Sequence, residues 1–218
     1  MKHGTKQGIL ITFEGTEGAG KSTLIGLVAR ELKTCLARER RSRAVTITRE
    51  PGGSQLAEKI RGLLLEEEMD PRCELFLYEA ARAEHLTRTL DPALRRGDFV
   101  LCDRFTDSSL AYQAHARGLP WKEVEALNQI ATRGLKPRLT ILVDVDPAVG
   151  LARARDGNRF EAEGLEFQQK VRRGFLKSMR QDPDRWFWLK ARPAHTPEQN
   201  AWRVAEEIWN RFGKRSRV

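Results

Sequence analysis

The chain has 218 residues, of which 40% are hydrophobic and 32% charged, a size and balance that suit one folded domain with a sizeable core and exclude an intrinsically disordered chain. Its formal net charge of +9 invites a nucleic-acid reading, but apart from clusters at Arg38–Arg43 and Lys214–Arg217 the basic residues are scattered and carry no nucleic-acid signature; a solvated basic surface without a nucleic-acid partner is expected. No stretch approaches the roughly 18 apolar residues that span a bilayer, and Cys35, Cys73 and Cys102 lack metal-ligand spacing, so a reduced, cytoplasmic protein without a membrane partner is expected.

Ile9 to Phe13 is an apolar, β-rich run ending at Glu14, and Lys21 to Lys33 sets Leu24, Leu27, Val28 and Leu32 at helical spacing. Between them Gly15, Thr16, Glu17, Gly18, Ala19, Gly20, Lys21 and Ser22, followed by Thr23, fill GxxxxGK[ST] in the strand, loop, helix setting that the motif requires. The glycines let several backbone N–H groups face one anion, and the helix adds its positive end. Lys21 is then expected to reach the β- and γ-phosphates of a nucleoside triphosphate, with the Ser22 hydroxyl on magnesium.

A basic connection, Ala37 to Arg43, leads to a second strand, Ala44 to Thr48, and to the turn Arg49, Glu50, Pro51, Gly52, Gly53, Ser54. Pro51 is a candidate for a cis bond and Ser54 for a helix cap; the turn reads as a plain connection or, at the C-terminal edge of a parallel sheet, as part of a ligand site. Helices follow from Gln55 to Glu66 and, with Pro71 in first position, from Arg72 to about Leu86. Tyr78 and Arg82 share a face of the second, either as a stacking and hydrogen-bonding clamp for a base or as a solvated surface. Asp98 to Cys102 is a third strand. Asp103 after it stands where a P-loop protein places a carboxylate for magnesium, and Arg104 would face phosphates. Thr106 to Arg117 reads as helical but too rich in hydroxyl and amide groups for a core, and Pro120 opens a helix through about Arg133.

Leu139 to Val143 is a fourth strand, and Asp146 with Pro147 caps a helix through Arg155. Asp156, Gly157 and Asn158 break it before Arg159, Phe160 and Glu161, an arginine-dense, glycine-hinged excursion that suits a mobile lid at about 153–164. A helix over Gly164 to Asp182, a strand over Trp186 to Lys190 and a capping box at Thr196 to Gln199 complete the chain, with Ala201, Ala205, Ile208 and Phe212 as the last buried stripe. Alternating strands and helices predict an α/β fold of three layers, a parallel sheet of about five strands with helices on both faces.

With ITFEGTEGAGKST, TREPGGSQLAEKIR, LYEAAR, CDRFTDSSLAYQ and RFE in order, the chain resembles the bacterial thymidylate kinases over nearly its whole length. The resemblance implies a single P-loop kinase domain over residues 1–218, a homodimer, and ATP with Mg²⁺ as donor and metal for phosphorylation of dTMP to dTDP. By resemblance, Tyr78 stacks on thymine, Arg82 and Ser109 read the base, Gln113 lies beside it, and Tyr112 backs the sugar and disfavours a 2′-hydroxyl. Arg104 holds the dTMP phosphate, Glu17 accepts from its 3′-hydroxyl, Asp103 belongs with Ser22 to the magnesium shell, and Pro51 and Ser108 complete the substrate site. Ala114, His115 and Ala116 depart from the family pattern, as does Asn158.

Phosphoryl transfer between two anions requires in-line positioning and neutralised charge rather than a protein base. One branch of the family carries an arginine in the P-loop, at the position of Gly18; here the charge is expected from lid arginines Arg153, Arg155 and Arg159, with Arg159 first. The rivals are a kinase of another pyrimidine nucleoside monophosphate and a nucleic-acid-dependent regulatory P-loop NTPase.

Overall fold

The computed structural model describes residues 7–154, 157, 159–190 and 195–213. Arg155, Asp156, Asn158 and the basic run Lys214–Arg217 lie outside the described residues. Strands β1 (Ile9–Glu14), β2 (Val45–Arg49), β3 (Phe99–Asp103), β4 (Leu139–Asp144) and β5 (Trp186–Lys190) form one parallel sheet in the order β2-β3-β1-β4-β5. The α-helices among the described residues are α1 (Lys21–Arg38), α2 (Gln55–Glu66), α3 (Pro71–His85), α4 (Asp91–Arg96), α5 (Thr106–Ser109), α6 (Trp121–Thr132), α7 (Pro147–Arg153), α8 (Arg159–Ala162), α9 (Gly164–Gln181) and α10 (Pro197–Ile208). None of them is long and apolar enough to cross a membrane.

A central parallel strand is covered on both faces, so its residues are apolar on both. Ile11 and Phe13 of β1 pack with Leu24, Val28 and Leu32 of α1 and with Val204 and Ile208 of α10. Leu10, pointing the other way, packs with Val100, Leu86 and Leu90. The register sets Phe13 beside Asp103 and Ile141, which brings the ends of β1, β3 and β4 to one edge. Local signals hold at the helix starts: Ser54 accepts from the Ala57 N–H, Asp146 from the Ala148 N–H, and Thr196 with Gln199 forms the capping box.

Three sequence expectations change. Helix α1 continues past Lys33 to Arg38 because Leu36 stays on its buried stripe. Leu86 to Arg96 is ordered as a π-helical turn, Leu86–Leu90, followed by α4, with Leu86, Leu90 and Ala93 buried under β1 and β3. The run Thr106 to Arg117, expected to be too polar for a core, is largely buried as α5 and a π-helical segment, Leu110–Ala116. Its polar groups are paired, which removes most of the cost of burial: Asp107 accepts from Arg185 at 2.7 and 2.9 Å, Ser108 donates to Glu14 at 2.6 Å, and Gln113 donates to Glu74 at 2.8 Å.

Glu14, the last residue of β1, also accepts from the Phe105 N–H at 2.8 Å. Burial, and after it the Asp107 carboxylate, pushes the Glu14 carboxyl up to about 8, against the pull of Ser108 and Arg104. A carboxyl that holds its proton more tightly when folded contributes stability fully below its unfolded value and loses it as pH rises through the folded one. Between pH 5 and 8 the wild type should therefore lose stability relative to Glu14→Gln by up to ~1.4 kcal/mol per pH unit. Urea unfolding across that range checks this; parallel stability curves would contradict it.

Candidate active site

The loop from Gly15 to Gly20 lies between β1 and α1, and Gly20 caps α1 in the left-handed region, at φ 83°. Gly18 is also left-handed, at φ 65°, and a Cβ there would stand 1.9 Å from the carbonyl oxygen of Gly150 in α7. A Cβ on Gly150 would in turn stand 2.4 Å from the carbonyl oxygen of Glu17. The phosphate loop and α7 thus meet backbone to backbone, at a distance that admits only glycine on either side. Lys21 is buried and donates to the carbonyls of Gly15 and Thr16 at 3.3 and 3.0 Å; burial, then Arg104, lowers its affinity for the proton.

Asp103 ends β3 and Arg104 follows it, and the two side chains reach different partners. Ser22 donates to Asp103 Oδ2 at 2.8 Å, while Asp103 Oδ1 is buried and has no hydrogen-bond partner among the described residues. Arg104 sits at φ 68°, a conformation that costs energy for a residue with a side chain. Its guanidinium pairs with Glu17 Oε1 at 2.6 Å, donates to the Gly15 carbonyl at 2.9 Å, and lies 5.1 Å from the centre of the Tyr112 ring. Tyr112 donates to the same Glu17 oxygen at 2.8 Å. Burial raises the Glu17 carboxyl, but Arg104 and then Lys21 outweigh it and hold it below the ordinary value; the ion pair is charged.

On the far side, Arg82 is 1% exposed and holds a fan of acceptors. Its Nε donates to Glu50 at 2.7 Å, its Nη1 faces Glu79 at 2.6 Å, Asn128 at 2.6 Å and Ser109 at 3.0 Å, and its Nη2 donates to the Phe105 carbonyl at 3.2 Å. Guanidinium carries five N–H groups, so one Nη2 hydrogen has no acceptor among the described residues, on a side chain that lines the cleft. Glu50 is held in place by His85 at 2.9 Å, and His85 by Thr48 at 2.7 Å. Burial raises the Glu50 carboxyl, and Arg82 more than reverses it. The Glu50–Pro51 bond is cis, as the turn composition suggested.

These parts border one cleft of about 560 Å³, which Gly18 to Thr23, Pro51, Tyr78, Arg82, Asp103, Arg104, Ser108, Ser109, Tyr112 and Gln113 line, together with Arg153. Glu17 lines it too, whereas Gly15 and Thr16 do not. Arg159, expected first at the phosphates, is placed elsewhere: its Nε donates to the Leu64 carbonyl at 2.9 Å and its Nη2 lies 2.7 Å from Glu74 Oε2, an ion pair without hydrogen-bond alignment. The physical reason is Glu74, a fully buried carboxylate that draws in Arg159, Arg117 at 3.2 Å and Gln113. Arg155 lies outside the described residues. Sequence reading missed Glu74, although it stands four residues before Tyr78 and eight before Arg82 and so shares their helix face. It also missed Asn128, Gln168 and Arg61, which no local signal marks; Arg61 donates to the Pro51 carbonyl at 3.0 Å and lines the cleft.

The family model for thymidylate kinase matches residues 13–200. A thymidylate kinase of Solidesulfovibrio magneticus is 42% identical over 219 residues, covering 94% of this chain and 99% of its own. One of Lactobacillus delbrueckii subsp. bulgaricus is 48% identical over 187 residues, covering 82% and 86%. The crystal structure of thymidylate kinase from Ehrlichia chaffeensis matches with a TM-score of 0.75 and 29% identity over 93% of this chain and 98% of that one. The chain belongs to the thymidylate kinase family.

Proposed function

We propose that the chain transfers a phosphoryl group from ATP, with magnesium, to dTMP, giving dTDP for dTTP biosynthesis. The observation that carries this reading is the Asp103–Arg104 dipeptide. Neighbouring residues, whose Cα atoms a trans peptide sets about 3.8 Å apart, reach Ser22 in one direction and Glu17 with Tyr112 in the other, so one strand end serves both the donor cradle and the acceptor clamp. The family match favours dTMP over another pyrimidine monophosphate and over a nucleic-acid-dependent NTPase.

Ser22 and Asp103 fit a magnesium ion, because a hydroxyl beside a carboxylate with one buried, unpaired oxygen is a hard-oxygen donor set. When bound, the ion supplies charge that neutralises phosphate oxygens. Lys21 and the loop N–H groups hold the ATP phosphates. Arg104 takes the dTMP phosphate, and Glu17 accepts from the 3′-hydroxyl while Tyr112 packs on the sugar. Tyr78 stacks on thymine, and Arg82, with its spare Nη2 hydrogen, Ser109 and Gln113 bind the base edge. The acceptor phosphate is itself the nucleophile, so the protein's work is to align two anions and cancel their charge.

The lid at about 153–164 supplies the remaining charge through Arg153, which lines the cleft, in preference to Arg159, which is held on Glu74. Gly150 stands less than one turn before Arg153, so the backbone contact at Gly18 sets where that arginine stands. Phe76 and Ile130, 57% and 74% exposed on neighbouring α3 and α6, support a homodimer. Free Cys35, Cys73 and Cys102 suit a cytoplasmic location.

In a panel of nucleoside monophosphates with ATP and magnesium, dTMP should have the highest kcat/KM; a purine preference would end the assignment. In single-turnover measurements Arg153→Ala should lower the transfer rate by about a hundredfold or more, with dTMP affinity nearly unchanged. Arg159→Ala should reduce the rate far less. The reverse order of the two effects would return the charge-supplying role to Arg159.

A further inference from the structure

Gln168 is 1% exposed on α9 and touches both the phosphate loop and the lid segment α8. Its side-chain oxygen accepts from the Glu17 N–H of the phosphate loop at 3.3 Å, and its side-chain nitrogen donates to the Phe160 carbonyl of α8 at 3.0 Å. A backbone N–H only donates and a carbonyl only accepts, so the two partners fix the amide in one orientation. Each partner continues into the cleft. The Glu17 carboxylate holds Arg104 and Tyr112 at 2.6 and 2.8 Å. The Phe160 ring is buried with its centre 5.8 Å from that of Tyr112 and 6.4 Å from that of Tyr78.

We propose that Gln168 is a positioning residue for the transfer: it ties the loop that carries the Glu17–Arg104 pair to the lid segment that roofs the base pocket, so that the acceptor-phosphate clamp and the lid move as one unit. This rests on the phosphotransfer reading given above. The amide is suited to the task because one short group gives both an acceptor and a donor, whereas a hydroxyl would be too short and a carboxylate could only accept. The contact spans 151 residues of sequence.

Two substitutions separate the hydrogen bonds from simple packing. Gln168→Met keeps the length and removes both bonds. Gln168→Glu keeps the shape; as a carboxylate it accepts from Glu17 but opposes the Phe160 carbonyl, and as a neutral acid its O–H donates and its C=O accepts, restoring both. At pH 8 each variant should lower the single-turnover rate by about tenfold to a hundredfold, the scale of a displaced reacting group, with little change in KM for ATP. As pH falls toward 6 the ratio of Gln168→Glu to wild type should recover, since burial favours the neutral acid, while the Gln168→Met ratio stays flat. Wild-type rates in both variants, or a Gln168→Glu ratio that does not move with pH, would overturn the proposal. Hydrogen exchange of the Glu17 amide, faster in Gln168→Met than in wild type, reads the strut without turnover. If the wild type fails to phosphorylate dTMP but this exchange difference is present, the kinase reading fails and the strut stands; if exchange is unchanged, the strut fails.

Discussion

The approach of Gly18 to Gly150 decides more of this site than any side chain does. A Cβ on Gly18 would sit 1.9 Å from a backbone oxygen of α7, a contact that no rotamer change can relieve. The phosphate loop therefore cannot present a side chain of its own at that position while α7 stays where it is. On the proposed reading, the positive charge at the moving phosphoryl group comes from α7, which fills that space and ends at Arg153. A steric constraint on two glycines would then account for an electrostatic property of the lid.

The acceptor side depends on a different economy, that of buried charge. Arg82 stands among Glu50 and Glu79 with almost no access to water, and removing one member of such a network leaves uncompensated charges behind. The base recognition proposed for Arg82 is thus inseparable from holding α3, α6 and the Glu50–Pro51 turn together. Arg104 differs: it shares its charge with a single carboxylate, Glu17, and is held in a strained left-handed backbone. Its guanidinium lines the cleft from that strained position.

Much of this was legible in the sequence because it is local. The phosphate loop, the caps at Ser54, Asp146 and Thr196, the cis turn at Pro51 and the short apolar runs of the strands each need only a few neighbouring residues. Failures came where a partner is distant. Ser108, Ser109 and Gln113 look too polar to bury until Glu14, Arg82 and Glu74 are placed against them. Arg159 looks like a phosphate ligand until the Leu64 carbonyl, 95 residues away, and Glu74 claim it. Gln168 has no local signature, because its meaning lies in two backbone groups that the fold brings to it.

The constraint at the root of α7 is tested most directly by Gly150→Ala, followed by ATP binding and thermal unfolding. On helix propensity alone the substitution should stabilise α7 by about 1 kcal/mol. The account predicts the opposite: the added methyl group meets the Glu17 carbonyl, overpacking costs roughly 1–3 kcal/mol, Tm falls and ATP binds more weakly. An unchanged or higher Tm with unchanged ATP affinity would contradict it.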